Sequence, residues 1–263
     1  MSSAPGPPSL DDAAAFTKAL ARELSQLSGD PYGEPSIGEL QAGIAMEEEG
    51  LGNPAAFAHT TIDWYIQGTG DFLYGAGETS KDQYDLAFSS AAATRSACEY
   101  AGICWWLADP DISVERRISR TADLVGRALD EAKSLLSSEE LAEYQEDNKL
   151  LKWAQKYRSR DERLPNATER FKLLSSEYGK MQYSYLSMLA HGNIVTTGRI
   201  VQEKVERSDE RYEPPLWRLL LASSYALTLA DRVCRLRSRP PGMLPELQML
   251  YEHYRSFLPQ SDS

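Results

Sequence analysis

The chain has 263 residues, of which 42% are hydrophobic and 25% are charged, as is usual for a folded protein with an apolar core. This composition excludes a chain that is disordered throughout. Asp and Glu total 39 against 28 Lys and Arg, so the formal net charge is −11. Such a balance favours solubility and disfavours nucleic acid as a partner, because binding to phosphate backbones needs a basic surface.

The termini and the cysteines predict the compartment. Residues 1–8 are rich in Ser, Pro and Gly and lack the basic and apolar regions of a signal peptide. No run approaches the roughly 18 apolar residues of a membrane span, so we expect no membrane partner. Cys98, Cys104 and Cys234 form no CxxC motif and are predicted to be reduced core thiols. We therefore expect a cytoplasmic protein, with a disordered tail over 1–8, a single helical domain over 9–258 and a second tail over 259–263.

Helix start signals recur along the chain. Ser9 with Asp12, Ser80 with Gln83, and Asn166 with Glu169 each place a capping side chain three residues before an acidic or amide residue. Proline after an asparagine, as in Asn53-Pro54, marks another start. The segment 194–205 is compatible with a strand pair or with a helix. The predicted fold class is all-α, a single multi-helix bundle, with helices over 9–28, 36–49, 54–67, 80–108, 113–136, 138–158, 167–191, 214–238 and 243–257.

The segment from Tyr84 to Leu107 contains three charged residues, Asp85, Arg95 and Glu99. A helix that is apolar on all sides is normally buried on all sides, so this segment is predicted to be the central helix. Arg95 and Glu99 are four residues apart and therefore share a face. Because an isolated buried charge costs several kcal/mol, we expect them to pair with each other or with a further partner. The pair is either a structural contact that fixes helix register or the polar floor of a ligand cavity.

Tyr183, Ser187 and His191 follow one another at intervals of four residues. Successive members of such a series are displaced by only about 40° around a helix axis, so they share one face. His191 could shuttle a proton, with Tyr183 or Ser187 orienting it. The helix is predicted to end after His191, where the negative end of the helix dipole favours a protonated imidazole. The alternative is a histidine that caps the helix by binding a local carbonyl.

Other side chains extend the candidate site. Arg120, together with Arg116, Arg117 and Arg95, could form an anion site, since guanidinium groups match carboxylate and phosphate; the alternative is a solvated surface. Trp105 and Trp106 suit either a ligand cavity or a packed core.

Metal and cofactor sites find little support in the sequence. His59 and Asp63 have a spacing compatible with metal ligation, but no further metal-binding pattern accompanies them. No phosphate-binding glycine loop is present. We therefore expect neither a metal nor a cofactor.

The run from Arg95 to Pro110, RSACEYAGICWWLADP, resembles a pattern in a set of uncharacterised actinobacterial helical proteins. The following residues 115–120 and the spacing Tyr183…Ser187…His191 resemble that set as well. The set is distantly similar to HEPN-type helical domains, which include ribonuclease toxins and antiphage proteins. Active HEPN nucleases carry an arginine, four to six intervening residues and a histidine. His191 matches this histidine, but Ser184, Tyr185 and Leu186 stand where the arginine is required.

Three functional hypotheses follow. The first is a protein that binds a small molecule, and is an enzyme of bacterial specialised metabolism if His191 acts as acid and base in an aromatic pocket. The second is a HEPN-like ribonuclease or toxin relative, either active or degenerate, and the third is a dimerising interaction module. The sequence leaves open whether the protein is an enzyme or a homodimer. In the first hypothesis the catalytic residues are His191, Tyr183 and Ser187, and the ligand-binding residues are Arg95, Glu99, Trp105, Trp106 and Arg120.

Overall fold

The computed structural model describes residues 7–28, 52–81, 84–133, 135, 137, 139, 149–191, 193, 197–198 and 213–257. Within the described residues, nine helices have defined bounds, together with one antiparallel pair of two-residue strands, which confirms the predicted all-α class. The helices are α1 (Leu10–Leu27), α2 (Pro54–Glu78), α3 (Ala87–Leu107), α4 (Val114–Lys133), α5 (Lys149–Tyr157), α6 (Ala167–Leu174), α7 (Gly179–Ala190), α8 (Glu213–Leu236) and α9 (Leu244–Arg255). The strands are β1 (Ser80–Lys81) and β2 (Tyr84–Asp85).

Three of the predicted helix starts are confirmed by their caps. The Ser9 hydroxyl accepts from the Asp12 N–H at 3.0 Å, and the Asp12 carboxylate accepts from the Ser9 N–H at 3.0 Å. Asn166 and Glu169 make the same reciprocal pair at the start of α6. The Asn53 side chain accepts from two N–H groups in the first turn of α2. These bonds satisfy amide groups that have no partner within their own helix.

The predicted end of α2 near residue 67 is wrong, because α2 continues to Glu78. Two glycines in this extension allow α1 to approach closely. A Cβ added at Gly70 would lie 3.1 Å from the Ala21 carbonyl oxygen, and one added at Gly77 would lie 3.0 Å from that of Ala14. Packing against α1 therefore outweighs the low helix propensity of glycine.

The predicted start of the central helix at residue 80 is also wrong. Ser80–Lys81 pairs with Tyr84–Asp85 in a short hairpin, and α3 begins at Ala87. The Ser80 hydroxyl is buried and lies 2.6 Å from the Ser90 hydroxyl, so it does not cap a helix. The capping pattern involves only residues 80–83, whereas the contact between Ser80 and Ser90 joins two segments that lie farther apart along the chain.

The predicted helix over 167–191 is two helices. Ser175 has an extended backbone, with φ −148° and ψ 95°, and ends α6. A Cβ added at Gly179 would lie 2.5 Å from the Phe171 carbonyl group, so the tight connection between α6 and α7 requires glycine at this position.

Other predicted elements are only partly covered. The predicted helix 36–49 lies outside the described residues, and of the helix predicted over 138–158 the structure describes α5. Of the ambiguous segment 194–205, only residues 197–198 are described, and they are helical.

Helices α1, α2, α3 and α8 pack together around the main apolar core, and α3 also contacts α4, α6 and α7. No residue of α3 from Ala93 to its end is exposed, although Phe88 in the first turn is. The central position predicted for this helix is confirmed. Helix α1 is joined to α8 by a contact of 3.2 Å between the Thr17 and Ser223 hydroxyls, which are 206 residues apart.

A smaller apolar cluster lies between the start of α2, α4 and α5 and contains Trp153 and Ile118. Helix α9 packs on α8 and α1. Within the described ranges, no helix is long and apolar enough to cross a membrane.

Candidate functional site

Arg95 and Glu99 form the ion pair that their spacing predicts. The Arg95 Nε atom lies 2.8 Å from the Glu99 Oε1 atom, and the two side chains keep 18% and 24% of their exposure. The second carboxylate oxygen of Glu99 lies 3.5 Å from Nη2 of Arg170, which α6 contributes. Arg170 also donates to the Pro165 carbonyl at 2.9 Å. Glu99 thus lies between two guanidinium groups, with one positive charge in excess.

His191 ends α7 and contacts the same arginine. Its Nε2 atom lies 2.8 Å from Nη1 of Arg95, while its backbone N–H donates to the Ser187 carbonyl at 3.0 Å. A guanidinium carries donors and no acceptor, so Nε2 accepts and the proton of the neutral ring lies on Nδ1. The histidine is exposed, so solvent reaches it.

Tyr183 also contacts Arg95. Its ring centroid lies 5.4 Å from the Arg95 Cζ atom, which is a cation–π distance, and its ring packs edge-on against Phe171. Ser187 lies one turn before His191 and is half-buried. We refer to Arg95, Glu99, Arg170, Tyr183 and His191 as the Arg95 cluster.

The electrostatics of the Arg95 cluster favour an anion. Burial lowers the pKa of Arg170, and the neighbouring Glu99 opposes that change. Arginine nevertheless stays charged at any physiological pH. Burial also raises the pKa of the neighbouring Tyr65, and the positive charge of Arg170 partly opposes this rise. The cluster can hold a carboxylate or phosphate group on its guanidinium groups, and an imidazole nitrogen lies beside them.

Trp105, Trp106 and Arg120 lie elsewhere. The Arg232 Cζ atom lies 3.6 Å from the centroid of the Trp105 ring, and the Arg120 Cζ atom lies 5.1 Å from that of Trp106. Eleven residues of helix separate Arg95 from Trp106, which is roughly 16 Å along the axis. The structure therefore brings together Arg95, Glu99, Tyr183 and His191, to which Ser187 contributes its backbone carbonyl, and places Trp105, Trp106 and Arg120 in a separate cluster.

That separate cluster caps the end of α3. Arg117 donates to the Leu107 and Asp109 carbonyls at 2.8 and 2.9 Å, and Arg120 donates to the Trp106 carbonyl. Cations at this end complement the helix dipole and satisfy carbonyls without intrahelical partners. Arg117 and Arg120 are buried, so the interpretation of a solvated surface is wrong for them.

Two carboxylates pair with arginines at this end of α3. Asp109 pairs with Arg232 at 2.8 Å, and Glu162 pairs with both Arg116 and Arg120. Burial raises the pKa of Glu162, but hydrogen bonds from Arg120 and Arg116 outweigh it, so the pKa lies below its usual range. Paired in this way, Arg120 serves the fold at the end of α3.

The pair considered for metal ligation is divided. His59 is buried, and Asp63 forms an ion pair with Nη2 of Arg237. Across the described ranges, no group of three or more His, Cys, Asp or Glu side chains is arranged to hold a metal ion.

The sequence analysis missed Arg170, the second partner of Glu99. A Cβ added at Gly102 would lie 2.8 Å from the Cβ atom of Arg170, so α3 and α6 cross closely at this point. Gly102 inside α3 was the available signal, since a glycine within a helix can indicate close approach of another backbone. Nothing in the sequence identifies α6 as the helix that approaches.

Comparison with protein families, with curated proteins and with solved structures finds no match to this chain.

Proposed function

We propose that the protein binds a small anionic molecule at the Arg95 cluster and that His191 acts there as a general acid and base. The observation that supports this most strongly is the 2.8 Å contact between Arg95 Nη1 and His191 Nε2. It joins α3 to the end of α7, two segments that the sequence singles out for unrelated reasons.

The charge of the cluster supports an anionic ligand. Two guanidinium groups face one carboxylate, in a chain whose net charge is −11. The contacts with Glu99 and His191 use two of the five N–H groups of Arg95, so the guanidinium retains capacity for a carboxylate or phosphate oxygen. Exposure of His191 gives a ligand a path to both groups.

The hydrogen bond between Arg95 and His191 also supports a role in proton transfer. While Arg95 donates to Nε2, that nitrogen is unavailable as a base. A ligand oxygen that takes over the donors of Arg95 releases Nε2, which can then accept a proton from a group within hydrogen-bond reach. Ligand binding and activation of the histidine are coupled in this proposal through one guanidinium.

A HEPN-like ribonuclease relative is the second candidate. The arginine missing from positions 184–186 has a counterpart in Arg95, which reaches His191 from α3. This guanidinium–imidazole pair favours the second candidate, whereas the acidic charge balance opposes it.

The test is an NMR titration of the His191 ring nitrogens with benzoate and with inorganic phosphate. We expect either anion to shift the Nε2 resonance of the wild-type protein, and we expect the R95Q variant to bind at least about tenfold more weakly, a difference of 1.4 kcal/mol. R235Q is the control, because Arg235 is exposed on α8 outside the cluster.

Equal shifts in the wild type and in R95Q, with unchanged melting temperatures, contradict the proposal. Cleavage of a single-stranded RNA by the wild type, lost in both R95Q and H191A, identifies the second candidate instead.

A further inference from the structure

A second basic feature lies away from the Arg95 cluster, where α4, α5 and the loop after α5 meet. These elements border an open cleft of about 520 Å³. The residues that line it are all polar or charged, namely Arg127, Gln155, Arg158, Ser159, Arg160 and Arg163. None of these residues belongs to the Arg95 cluster. We call this feature the arginine cleft.

A buried carboxylate holds two of these arginines in place. The side chain of Asp123 is fully buried, and its Oδ1 atom accepts from the Arg158 Nε–H at 2.7 Å. Its Oδ2 atom lies 2.9 Å from Arg127 Nε and accepts from the Leu164 N–H at 2.7 Å. Because these contacts tie side chains and backbone to one carboxylate, the guanidinium groups are positioned before any ligand arrives.

The loop that carries the other two arginines is tethered as well. The Ser159 N–H donates to the Ser119 hydroxyl at 3.0 Å, and Glu162 is buried between two arginines of α4. Arg160 and Arg163 alternate with these anchored positions and are exposed. They therefore extend into solvent from a backbone that is fixed at both sides.

The arginine cleft carries an excess of positive charge. Its four arginines are opposed by Asp123 and by Asp130, whose Oδ2 atom lies 3.7 Å from Arg158 Nη1. The remainder is two formal positive charges in a chain with a net charge of −11. Neither Arg160 nor Arg163 makes an ion pair with another residue of the described chain. Like charges concentrated in this way repel one another, and a bound anion would remove that cost.

We infer that the arginine cleft binds a small molecule that carries two or more linked phosphate groups. Arginine matches phosphate through paired N–H donors, and two uncompensated charges match at least two phosphate charges. The volume lies within the range of small-ligand sites. Among the described residues that line the cleft, none is aromatic or aliphatic, so we expect the oligophosphate, rather than a base or an acyl chain, to be the part that is recognised.

Calorimetric titration with tripolyphosphate, pyrophosphate and orthophosphate tests this inference. We expect tripolyphosphate to bind at least about tenfold more tightly than orthophosphate at physiological ionic strength. The double variant R160Q/R163Q should lose at least about tenfold in affinity for tripolyphosphate, because it removes the two uncompensated positive charges. Both side chains are exposed, so their loss leaves the fold intact. R235Q removes an exposed arginine from another helix and should bind like the wild type.

Several outcomes overturn the inference. The first is equal tripolyphosphate affinity in the wild type and in R160Q/R163Q. The second is equal affinity for all three phosphates. The third is binding of single-stranded RNA, or of vesicles containing a phosphoinositide, at this cleft by a protein that does not bind free tripolyphosphate. Since R160Q/R163Q leaves the Arg95 cluster unchanged, benzoate titration of the same variant tests the proposed function separately.

Discussion

Arg95 contacts a carboxylate, an imidazole and an aromatic ring at the same time. Its Nε atom serves Glu99, its Nη1 atom serves His191, and its Cζ atom lies over the Tyr183 ring. Lysine at this position would keep the charge but lose the planar set of donors that makes these contacts simultaneous. At the scale of single residues, the candidate site therefore depends on the geometry of one side chain.

The three cysteines provide a residue-scale prediction. Cys98, Cys104 and Cys234 are free and buried, and burial raises the pKa of each thiol. Because the thiolate is the reactive form, we expect no reaction with a thiol reagent such as DTNB in the native state and three equivalents in denaturant. Rapid modification of any cysteine in the native protein would show that its surroundings open to solvent.

The spacing of residues predicted one contact of the site and could not predict the others. Arg95 and Glu99 pair because positions four apart on a helix face each other, which is a local rule. The contact with His191 depends on where α7 crosses α3, and the contact of Glu99 with Arg170 depends on α6. Such crossings are set by the packing of the whole core, and spacing along the chain carries no information about them.

At the scale of helices, two glycines with different surroundings make a matched test. Gly102→Ala would place a methyl group 2.8 Å from the Arg170 Cβ atom, whereas nothing lies within 4 Å of a Cβ added at Gly75. We expect G102A to lower the free energy of unfolding by about 1–3 kcal/mol, because it separates α3 from α6. G75A should raise it by about 0.5–1 kcal/mol, since alanine favours the helix.

Urea denaturation of the two glycine variants measures both effects. Equal changes in the two variants would show that α3 and α6 do not cross closely at Gly102. The free energies are compared only if the dependence of the free energy of unfolding on urea concentration is the same in both variants, because a change in that slope indicates a change in the unfolded state.

Three helix starts were predictable from local capping signals, whereas the similar signal at Ser80 misled and helix lengths were not predictable. The caps at Ser9, Asn53 and Asn166 lie where the sequence places them. The extension of α2 through Gly77 depends on the backbone of α1, which is distant in sequence. The break before Gly179 depends on the backbone at Phe171, against which the chain folds back closely. In both places a glycine marks the contact, but its partner is visible only in the folded chain.

At the scale of the whole molecule, buried charge pairs predict how stability depends on pH. The pKa of Glu162 is lowered in the folded state, so its contribution is present above the pKa of the unfolded chain, about 4.3. The contribution is lost as the pH falls through the folded-state pKa. We expect the melting temperature of the wild type to fall steeply below about pH 4.3.

E162Q separates this contribution from the general effect of acid. We expect this variant to be less stable by about 1–3 kcal/mol at neutral pH, because Arg120 loses its charged partner, and to show a shallower loss in acid. Calorimetry from neutral to acidic pH measures both, with the exposed E246Q on α9 as control. Parallel pH profiles for the wild type and E162Q would mean that other carboxylates determine acid stability.

The packing of α1 against α8 has a consequence for synthesis of the protein. The contact between Thr17 and Ser223 spans 206 residues, and Arg237 at the end of α8 donates to the Leu27 carbonyl at 2.7 Å. At a typical elongation rate, α1 waits on the order of 10–40 s before α8 is translated. During this interval α1 can pack against α2, but the part of its apolar face that contacts α8 remains without its native partner, and we expect that surface to be accessible to chaperones and proteases.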